Sequence, residues 1–342
     1  MSADRDTRLL LIDTAGDRLA ESEVSALPEL LDARDLLVVN DAATLPASLF
    51  GLTARGEPLE VRLLEGPYEA TTRAVLFGRG DHRIPTEHRP KPPQLAVGDA
   101  VHVGPDRLEV VAVSPRSPRL VELAWPRTRA ARFALLYRAG RPVQYSYVPE
   151  PLALWDVQTS FASRPWAVEM PSAARPLRGA LLLALARRGI GIARLTHAAG
   201  LSATGDPTLD AALPLPERYD IPAETVRAID DARARGGRIV AVGTSVVRAL
   251  EDCVAATGAL RAGERMAELV LDAHTRPRIA SGLLTGIHVP GESHYRLLSA
   301  FARADTLARA SVLALREGYR LHEFGDAALL LPRIVDAARN AA

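Results

Sequence analysis

The chain has 342 residues, a length that predicts two domains or one domain with a large insertion. Its 42 Lys and Arg residues nearly balance its 41 Asp and Glu residues, so the whole molecule lacks the one-signed field of a protein that holds nucleic acid by bulk charge. A hydrophobic fraction of 48% and a charged fraction of 24% are typical of globular domains, which excludes a disordered, collagen-like or coiled-coil chain.

The cysteine content and the apolar segments indicate the cellular compartment of the protein. Cys253 is the single cysteine, which excludes an internal disulfide and two-cysteine metal or redox motifs. The sequence begins MSADRDTRLL, without the apolar core of a signal peptide, and its longest apolar run, near residue 180, is far shorter than a membrane span. We therefore expect a cytoplasmic protein with no membrane segment.

The first part of the chain, residues 1–58, has the pattern of an α/β domain. LLLID predicts a strand, AGD a turn, SALPELLDA a helix and LLVVND a second strand. Residues 36–39 are continuously apolar, which is typical of a strand buried on both faces of a sheet.

Residues 59–148 predict an inserted all-β domain. Short β-prone pieces are separated by Gly, Pro and Asp turns at the spacing of a small barrel or sandwich; they are LEVRLL, ATTRAVLF, AVHV, RLEVVAVS and LVELAW. The Pro-rich stretch DHRIPTEHRPKPPQ predicts an exposed loop. Residues 73–141 contain 13 Arg and Lys against 6 Asp and Glu. A polyanion could dock there, although arginine is also the general surface cation of this chain.

The remaining part, residues 149–342, returns to an alternation of strands and helices, which again predicts an α/β domain. Helices are predicted at RGALLLALARR, AETVRAIDDARARGG, TSVVRALEDCVAATG and residues 293–317, and strands at IGIARL, RIVAVG and DAALLLP.

The segment VGTSVVRALE, residues 242–251, is the sharpest local feature. A strand that ends in Gly-Thr-Ser and turns directly into a helix presents N–H groups and hydroxyls at a helix amino terminus, which favours a carboxylate or phosphate. Gly243 permits close approach of the backbone. The alternative is that Thr244 or Ser245 is an ordinary helix cap.

Two histidines follow predicted strands, His197 in ARLTHAAG and His288 in GLLTGIHVP. Each has the chemistry of a general acid or base, and each could instead be a structural histidine. The eight histidines lack metal-type spacing, so no metal site is predicted.

Five motifs occur in a specific order along nearly the whole chain. They are VNDxxxxPAxLFG at residues 39–51, VGTSVVRALE at 242–251, LLTGIHVP at 283–290, LSAF at 298–301 and FGDA at 324–327. In this order they resemble the S-adenosylmethionine:tRNA ribosyltransferase-isomerases of queuosine biosynthesis.

The resemblance implies a mixed-sheet α/β main domain, residues 1–58 and 149–342, with an inserted barrel-like all-β domain at 59–148. It implies an enzyme with S-adenosylmethionine as co-substrate and no metal. Such enzymes transfer the ribosyl group, not the methyl group, to a 7-aminomethyl-7-deazaguanine base in tRNA. They rearrange it to an epoxycyclopentane and release adenine and methionine. The implied partner is tRNA, which would meet the basic insert.

The resemblance also implies roles for individual residues. Five are predicted to bind the donor: Asp41, Gly243, Thr244, Ser245 and Arg248. The predicted catalytic residues are His197, Glu217 and His288, of which His288 could also contact adenine or ribose, as could Asp41. Glu251, on the same helix as Arg248, is predicted only to pair with an arginine.

Several positions depart from the family motifs. Ala43 and Ser48 stand where the family has arginines, residues 170–177 lack the family's glycine and histidine, and a further family histidine is replaced by Leu215. These departures predict a retained donor pocket with a rebuilt acceptor side. Two alternatives follow: an enzyme that uses the same donor on a small-molecule acceptor, and a non-catalytic S-adenosylmethionine-binding protein.

Overall fold

The structure is a computed structural model that describes residues 7–126 and 128–333. The predicted main-domain segments begin at residue 1 and end at residue 342, so their parts at 1–6 and 334–342 lie outside the described residues. The strands are, in chain order, β1 (Arg8–Asp13), β2 (Arg18–Glu23), β3 (Leu36–Asn40), β4 (Ala42–Thr44), β5 (Ser48–Thr53), β6 (Pro58–Leu63), β7 (Thr71–Phe77), β8 (Ala100–Val103), β9 (Asp106–Val113), β10 (Leu120–Ala124), β11 (Gly140–Arg141), β12 (Arg164–Ala167), β13 (Gly191–His197), β14 (Glu217–Ile221), β15 (Ile239–Val242), β16 (Gly263–Ala267), β17 (Gly282–Gly286) and β18 (Ala327–Leu331). The α-helices are α1 (Leu27–Leu30), α2 (Arg129–Ala139), α3 (Gly179–Arg187), α4 (Pro207–Asp210), α5 (Ala223–Ala234), α6 (Thr244–Thr257), α7 (Ser293–Leu298) and α8 (Ala304–Arg316).

The main sheet is mixed, as predicted. Its strand order is β16-β14-β13-β3-β15-β17-β18-β1-β2. The four central strands β13, β3, β15 and β17 are mutually parallel. Strands β14, β16 and β2 pair antiparallel, while β18 is antiparallel to β17 and parallel to β1. The carboxyl ends of the four central strands therefore meet at one edge.

Helices cover both faces of this sheet, which explains the continuous apolar runs in its central strands. Along β3, Leu36 and Val38 join a core that includes residues of α5, α6 and α8. Leu37 and Val39 point to the opposite face and join a core with residues of α1 and α3. All four side chains are almost completely buried.

The insert contains a closed six-stranded antiparallel barrel, which confirms the barrel-like prediction. Strands β5, β6, β7, β10, β9 and β8 pair in this order, and β5 also pairs with β8 to close the ring. The first barrel strand, β5, precedes residue 59, and helix α2 follows the last one, so the strand bounds differ from those read in the sequence. The division into domains stays a prediction.

One expectation about local structure was wrong. The single helix expected at residues 293–317 is divided into α7 and α8. The Ser299 hydroxyl donates to the Arg296 carbonyl at 2.5 Å, a side-chain bond that competes with helix continuation. The loop predicted at residues 81–94 is exposed or partly exposed at most positions, as expected, but its Arg89 is buried and donates to the buried Glu60 at 2.7 Å.

No helix in the described ranges is long and apolar enough to cross a lipid bilayer.

Candidate active site

The candidate site lies at the carboxyl edge of the central parallel strands. His197 is the last residue of β13 and Asn40 the last of β3, with Asp41 directly after it. Gly243 to Ser245 follow β15, and His288 follows β17. Ligands of open α/β sheets bind in the crevice at this edge. The structure thus brings together predicted residues that are far apart in sequence.

The amino terminus of α6 presents unused backbone donors at this edge. Gly243 has φ +100° and ψ 150°, a conformation that only glycine adopts without strain, and it ends β15 by donating to the Leu284 carbonyl at 2.8 Å. The helix has no side-chain cap and no acidic residue in its first turn. In the described ranges, the amides of Thr244 and Ser245 have no hydrogen-bond acceptor. This arrangement favours an anion.

Asn40 joins three segments of the site, a role that the sequence did not predict. Its Nδ2 donates to the His197 carbonyl at 2.9 Å and to Ser245 Oγ at 3.3 Å. Its Oδ1 accepts from the amides of His197 at 2.9 Å and Ala42 at 3.0 Å. Asn40 is fully buried, so it positions β13 and α6 around β3. Asn40 is the middle residue of the VND motif. The sequence alone did not show that its side chain is buried at the end of a strand.

Asp41 faces the same edge with one oxygen engaged. Its Oδ1 accepts from Thr196 Oγ1 at 2.6 Å, and its carbonyl accepts from the Ser163 amide at 2.8 Å. Among the described residues, its Oδ2 has no hydrogen-bond partner. A ligand hydroxyl could donate to that oxygen.

Arg248 has partners other than the predicted donor molecule. Its guanidinium donates to the Glu217 carboxylate and to the carbonyls of Leu269 at 3.0 Å and Ala267 at 2.9 Å. Arg248 is 4% exposed, and all its guanidinium nitrogens donate within the protein. Its contacts fit a structural ion pair, because the guanidinium holds the chain around Glu217 instead of facing the edge.

His197 lies behind Glu217 in a closed environment. Its ring is fully buried and stacked on Tyr219, and both ring nitrogens lack a hydrogen-bond partner in the described part of the chain. The Nε2 atom is 3.6 Å from Glu217 Oε2. Burial, and secondarily the charge of Arg248, lowers the pKa of His197 to about 3. The imidazole is therefore neutral at pH 7.

The Glu217 carboxylate is held from two sides. Besides Arg248, it accepts from the Gly200 amide at 2.5 Å. Burial raises the pKa of this carboxyl, although Arg248 and the amide oppose the rise. Glu251, expected to pair with an arginine side chain, instead accepts from the backbone amides of Arg278, Ile279 and Ala280.

His288 is held by hydrogen bonds at both ring nitrogens. Nε2 lies 2.9 Å from Thr285 Oγ1, and Nδ1 lies 3.3 Å from Glu292 Oε2. Although burial opposes it, the hydrogen bond to His288 lowers the pKa of Glu292. The ring also stacks on His294, with 5.0 Å between ring centres. Of the three predicted catalytic residues, this one combines partial exposure with a carboxylate partner.

A narrow pocket adjoins the edge and contains two carboxyl groups that the sequence did not reveal. Tyr145 donates to Glu169, and Tyr147 donates to Glu323. Burial raises the pKa of Glu169, and it raises the pKa of Glu323 to about 7. Neither glutamate follows a predicted strand, so no local pattern marked them.

An arginine stands beside Ser48, one of the two positions where the family motif has arginine. Ser48 lies directly opposite Arg62 in the pairing of β5 with β6. Both side chains donate to Glu60 at 2.7 Å. The Arg62 guanidinium also lies 5.2 Å from the ring centre of Tyr145. A buried cation therefore lies next to this position.

In the described ranges, no group of three His, Cys, Asp or Glu residues is arranged to hold a metal ion.

Comparisons with known proteins identify the family. A family model described as "Queuosine biosynthesis protein" matches residues 1–330. The chain is 34% identical to an S-adenosylmethionine:tRNA ribosyltransferase-isomerase of Thiobacillus denitrificans, over 95% of this chain and 90% of the relative. It is 35% identical, with the same coverage, to a protein of that name from Azoarcus sp.. The crystal structure of S-adenosylmethionine tRNA ribosyltransferase from Thermotoga maritima has the same fold, with a TM-score of 0.52 and 22% identity over 97% of this chain and 94% of that one. The chain belongs to the queuosine biosynthesis protein family.

Proposed function

We propose that this protein transfers the ribosyl-derived unit of S-adenosylmethionine to a base in tRNA and isomerises it, the activity for which its relatives are named. The observation that carries the proposal is the pair of backbone amides at the start of α6 that have no acceptor among the described residues, at the same carboxyl edge of the sheet as Asp41. The acceptor is a 7-aminomethyl-7-deazaguanine base, and the reaction takes place in the cytoplasm, where tRNA is found.

The residues of this edge fit the donor molecule. The amides of Thr244 and Ser245 would bind its carboxylate, since a helix amino terminus attracts anions. Gly243 forms the turn that leads the backbone into α6, because its φ of +100° is a conformation that residues with a side chain rarely adopt. The free oxygen of Asp41 would accept from a ribose hydroxyl. Arg248 contributes indirectly, by holding Glu217.

His288 is the best candidate for proton transfer. Loss of adenine requires a proton at the departing base, and an imidazole bonded to a carboxylate can hold and deliver one. His288 has that partner in Glu292 at 3.3 Å and is partly exposed. His197 is fully buried, and the Glu217 carboxylate is bound by Arg248, which favours a role for both in shaping the site.

A basic groove on the outside of the barrel supports tRNA binding through the insert. The groove has a volume of about 350 Å³ and is lined by Arg79, His102 and the half-exposed Phe50, with no acidic residue in its lining. The guanidinium of Arg141 lies 5.4 Å from the ring centre of Phe50. Cations beside an exposed aromatic ring suit phosphates and unpaired bases.

The activity can be tested with purified protein, S-adenosylmethionine and tRNA that lacks queuosine. We expect tRNA-dependent release of adenine, detected by chromatography, and a roughly tenfold lower rate for Asp41→Asn, because a charge-assisted hydrogen bond is lost. Asp231→Asn, on the exposed side of α5, is the matched control and should keep the rate. Adenine release with the free base but not with tRNA would assign a small-molecule acceptor. Donor binding without any release would assign a binding protein.

A further inference from the structure

Three histidines and one glutamate form a cluster at the carboxyl edge of the sheet. Glu292 lies 3.3 Å from His288 Nδ1 through its Oε2 and 3.9 Å from His322 Nδ1 through its Oε1. The ring of His294 stacks on that of His288. His288 belongs to the motif LLTGIHVP, whereas Glu292, His294 and His322 lie outside all five motifs. The structure thus surrounds a motif residue with groups that the motifs do not contain.

The strand pairing explains why these residues meet. His288 and Glu292 follow β17, and His322 precedes β18. The two strands are antiparallel, with Gly286 opposite Ala327. The segment after one strand and the segment before the other are therefore neighbours in space, although 30 or more residues separate His322 from Glu292 in the chain.

The backbone of His322 has an uncommon conformation that places this ring. Its φ is +66°, in the left-handed region that residues with a side chain rarely adopt and that His, Asn and Asp tolerate best. Its carbonyl accepts from the Gly325 amide at 3.0 Å, which closes a turn before β18. Uncommon backbone conformations of this kind are often found at functional sites.

Tyr147 holds one face of the His322 ring. The two rings are stacked, with 4.1 Å between their centres and 13° between their planes. The Tyr147 hydroxyl donates to Glu323, the residue that follows His322. These contacts fix the plane of the imidazole while its Nδ1 faces Glu292 Oε1.

The protonation states define what the cluster does. Burial lowers the pKa of His322 below its ordinary 6.5, so this ring is mainly neutral at pH 7. Glu292 is ionised, since its pKa is lowered by the hydrogen bond to His288 despite burial. A carboxylate only accepts hydrogen bonds, so it favours a proton on Nδ1 of His288 and attracts the N–H group of His322. At 3.9 Å this second attraction is electrostatic and not a direct hydrogen bond.

We propose that His322 is a positioning residue for His288 and acts through Glu292. The N–H group of His322 holds one carboxylate oxygen, so that the other oxygen keeps the proton of His288 on Nδ1. Nε2 is then the nitrogen that gains and loses a proton. Thr285 Oγ1, 2.9 Å from Nε2, accommodates both states, because a hydroxyl can donate or accept. The inference rests on the proposed function, in which His288 transfers a proton to the departing adenine.

Two variants of similar size separate positioning from folding. His322→Asn keeps an N–H donor that can take the place of Nδ1, and His322→Asp puts a second carboxylate beside Glu292. Both tolerate the positive φ and both lose the stack on Tyr147, so their difference reports the contact with Glu292.

Adenine release by these variants is the first measurement. We expect His322→Asn to stay within about twofold of the wild-type kcat. We expect about tenfold lower kcat for His322→Asp, with little change in the KM for S-adenosylmethionine, because like charges repel and draw Glu292 away from His288. His274→Asp adds a carboxylate at an exposed position, and this control should keep the wild-type kcat.

Nitrogen NMR of the labelled chain without substrates is the second measurement, since it reports which ring nitrogen of His288 carries the proton. The signals are assigned by their loss in His288→Gln. We expect the Nδ1–H form to dominate in the wild type and in His322→Asn, and a mixture of the two forms in His322→Asp.

Equal kcat values and equal His288 signals in His322→Asn and His322→Asp would overturn the proposal. A lower kcat in His322→Asp with unchanged His288 signals would overturn it as well. Failure of the proposed function is distinguishable from either. If the signals change as expected but the wild-type chain releases no adenine, the positioning role stands and the transferase activity falls. If the wild type releases adenine and His322→Asp changes neither readout, only the role of His322 falls.

Discussion

His197, Glu217 and Arg248 form one electrostatic unit at the end of β13. The Glu217 carboxylate, with 14% of its side chain exposed, lies between a guanidinium and a neutral imidazole, and the guanidinium also donates to backbone carbonyls. Removing one member of such a unit leaves an uncompensated group in a largely enclosed region, which is more costly than losing an exposed ion pair. The unit therefore fixes the end of β13 and the start of β14 against α6.

The lowered pKa of His197 predicts a pH-dependent loss of stability. The folded-state pKa is about 3, whereas the ordinary value is 6.5. Below pH 6.5 the unfolded chain binds a proton that the folded chain excludes, so the free energy of unfolding falls as the pH falls. The contribution of this residue is up to about 1.4 kcal/mol per pH unit. Urea unfolding between pH 6.5 and 4.5 measures it.

His197→Phe keeps a flat ring against Tyr219 and removes the titration, so the slope of stability against pH should become shallower than in the wild type. Glu217 titrates in both proteins, so its contribution to the slope of stability against pH largely cancels in the comparison. His274→Gln, at an exposed position, is the control and should leave the slope unchanged. Equal slopes for the wild type and His197→Phe would refute the assignment of a neutral buried imidazole.

Residue types at strand ends could be predicted from the sequence, but their partners could not. The patterns around Asp41, Gly243 and His288 marked positions that do lie at one edge. The contacts of Asn40 with His197 and Ser245 join residues 157 and 205 positions apart in the chain, and no local pattern encodes them. For the same reason Arg248 was assigned to a ligand, whereas its partner is Glu217, on a strand that precedes it by 31 residues.

The turn from β15 into α6 is the element on which the proposed donor binding depends. Gly243→Ala introduces a side chain at φ +100°, and we expect it to lower the free energy of unfolding by about 1–3 kcal/mol. Because relief of this strain would shift the amides of Thr244 and Ser245, the affinity for S-adenosylmethionine should fall as well. Calorimetry and urea unfolding measure the two effects.

The other end of the same helix offers a matched control. Gly258 has φ +80° and no atom within 4 Å of an added Cβ, so Gly258→Ala should cost about 1 kcal/mol of stability. Its distance from the edge predicts an unchanged affinity for S-adenosylmethionine. If both variants lost affinity equally, general destabilisation would explain the loss and the role of Gly243 would be disproved.

The α/β pattern of the main domain and the β-rich insert were predictable because strands buried on two faces and strands of a barrel have different periodicities. Closure of the barrel through β5 and β8 was not predictable, because the sequence of β5 follows the first α/β segment without a visible boundary. Helix α2 was missed because tertiary contacts fix it: its Arg132 side chain donates to the Pro67 carbonyl at 2.9 Å.

Residues 73–141 carry 13 Arg and Lys against 6 Asp and Glu, although the net charge of the whole chain is only +1. In the outer barrel groove, Arg79 belongs to the lining, Arg141 lies beside Phe50, and no acidic residue lines the groove. We expect Arg79→Glu, Arg141→Glu to weaken tRNA binding and to reduce its dependence on salt by about two phosphate contacts, because fewer counterions are released. Filter binding at several salt concentrations measures both. Arg187→Glu, an exposed arginine on α3, is the control, and an equal effect from it would contradict a specific groove.

Binding of S-adenosylmethionine at the carboxyl edge is the central claim, and calorimetric titration of the wild-type chain tests it most directly. The comparison ligand is decarboxylated S-adenosylmethionine, which keeps the adenosine, the sulfonium and the amino group but lacks the carboxylate. We predict saturable binding of S-adenosylmethionine and at least about tenfold weaker binding of the comparison ligand, because the carboxylate is bound by the amino terminus of α6. No binding of S-adenosylmethionine, or equal affinity for the two ligands, would contradict the account.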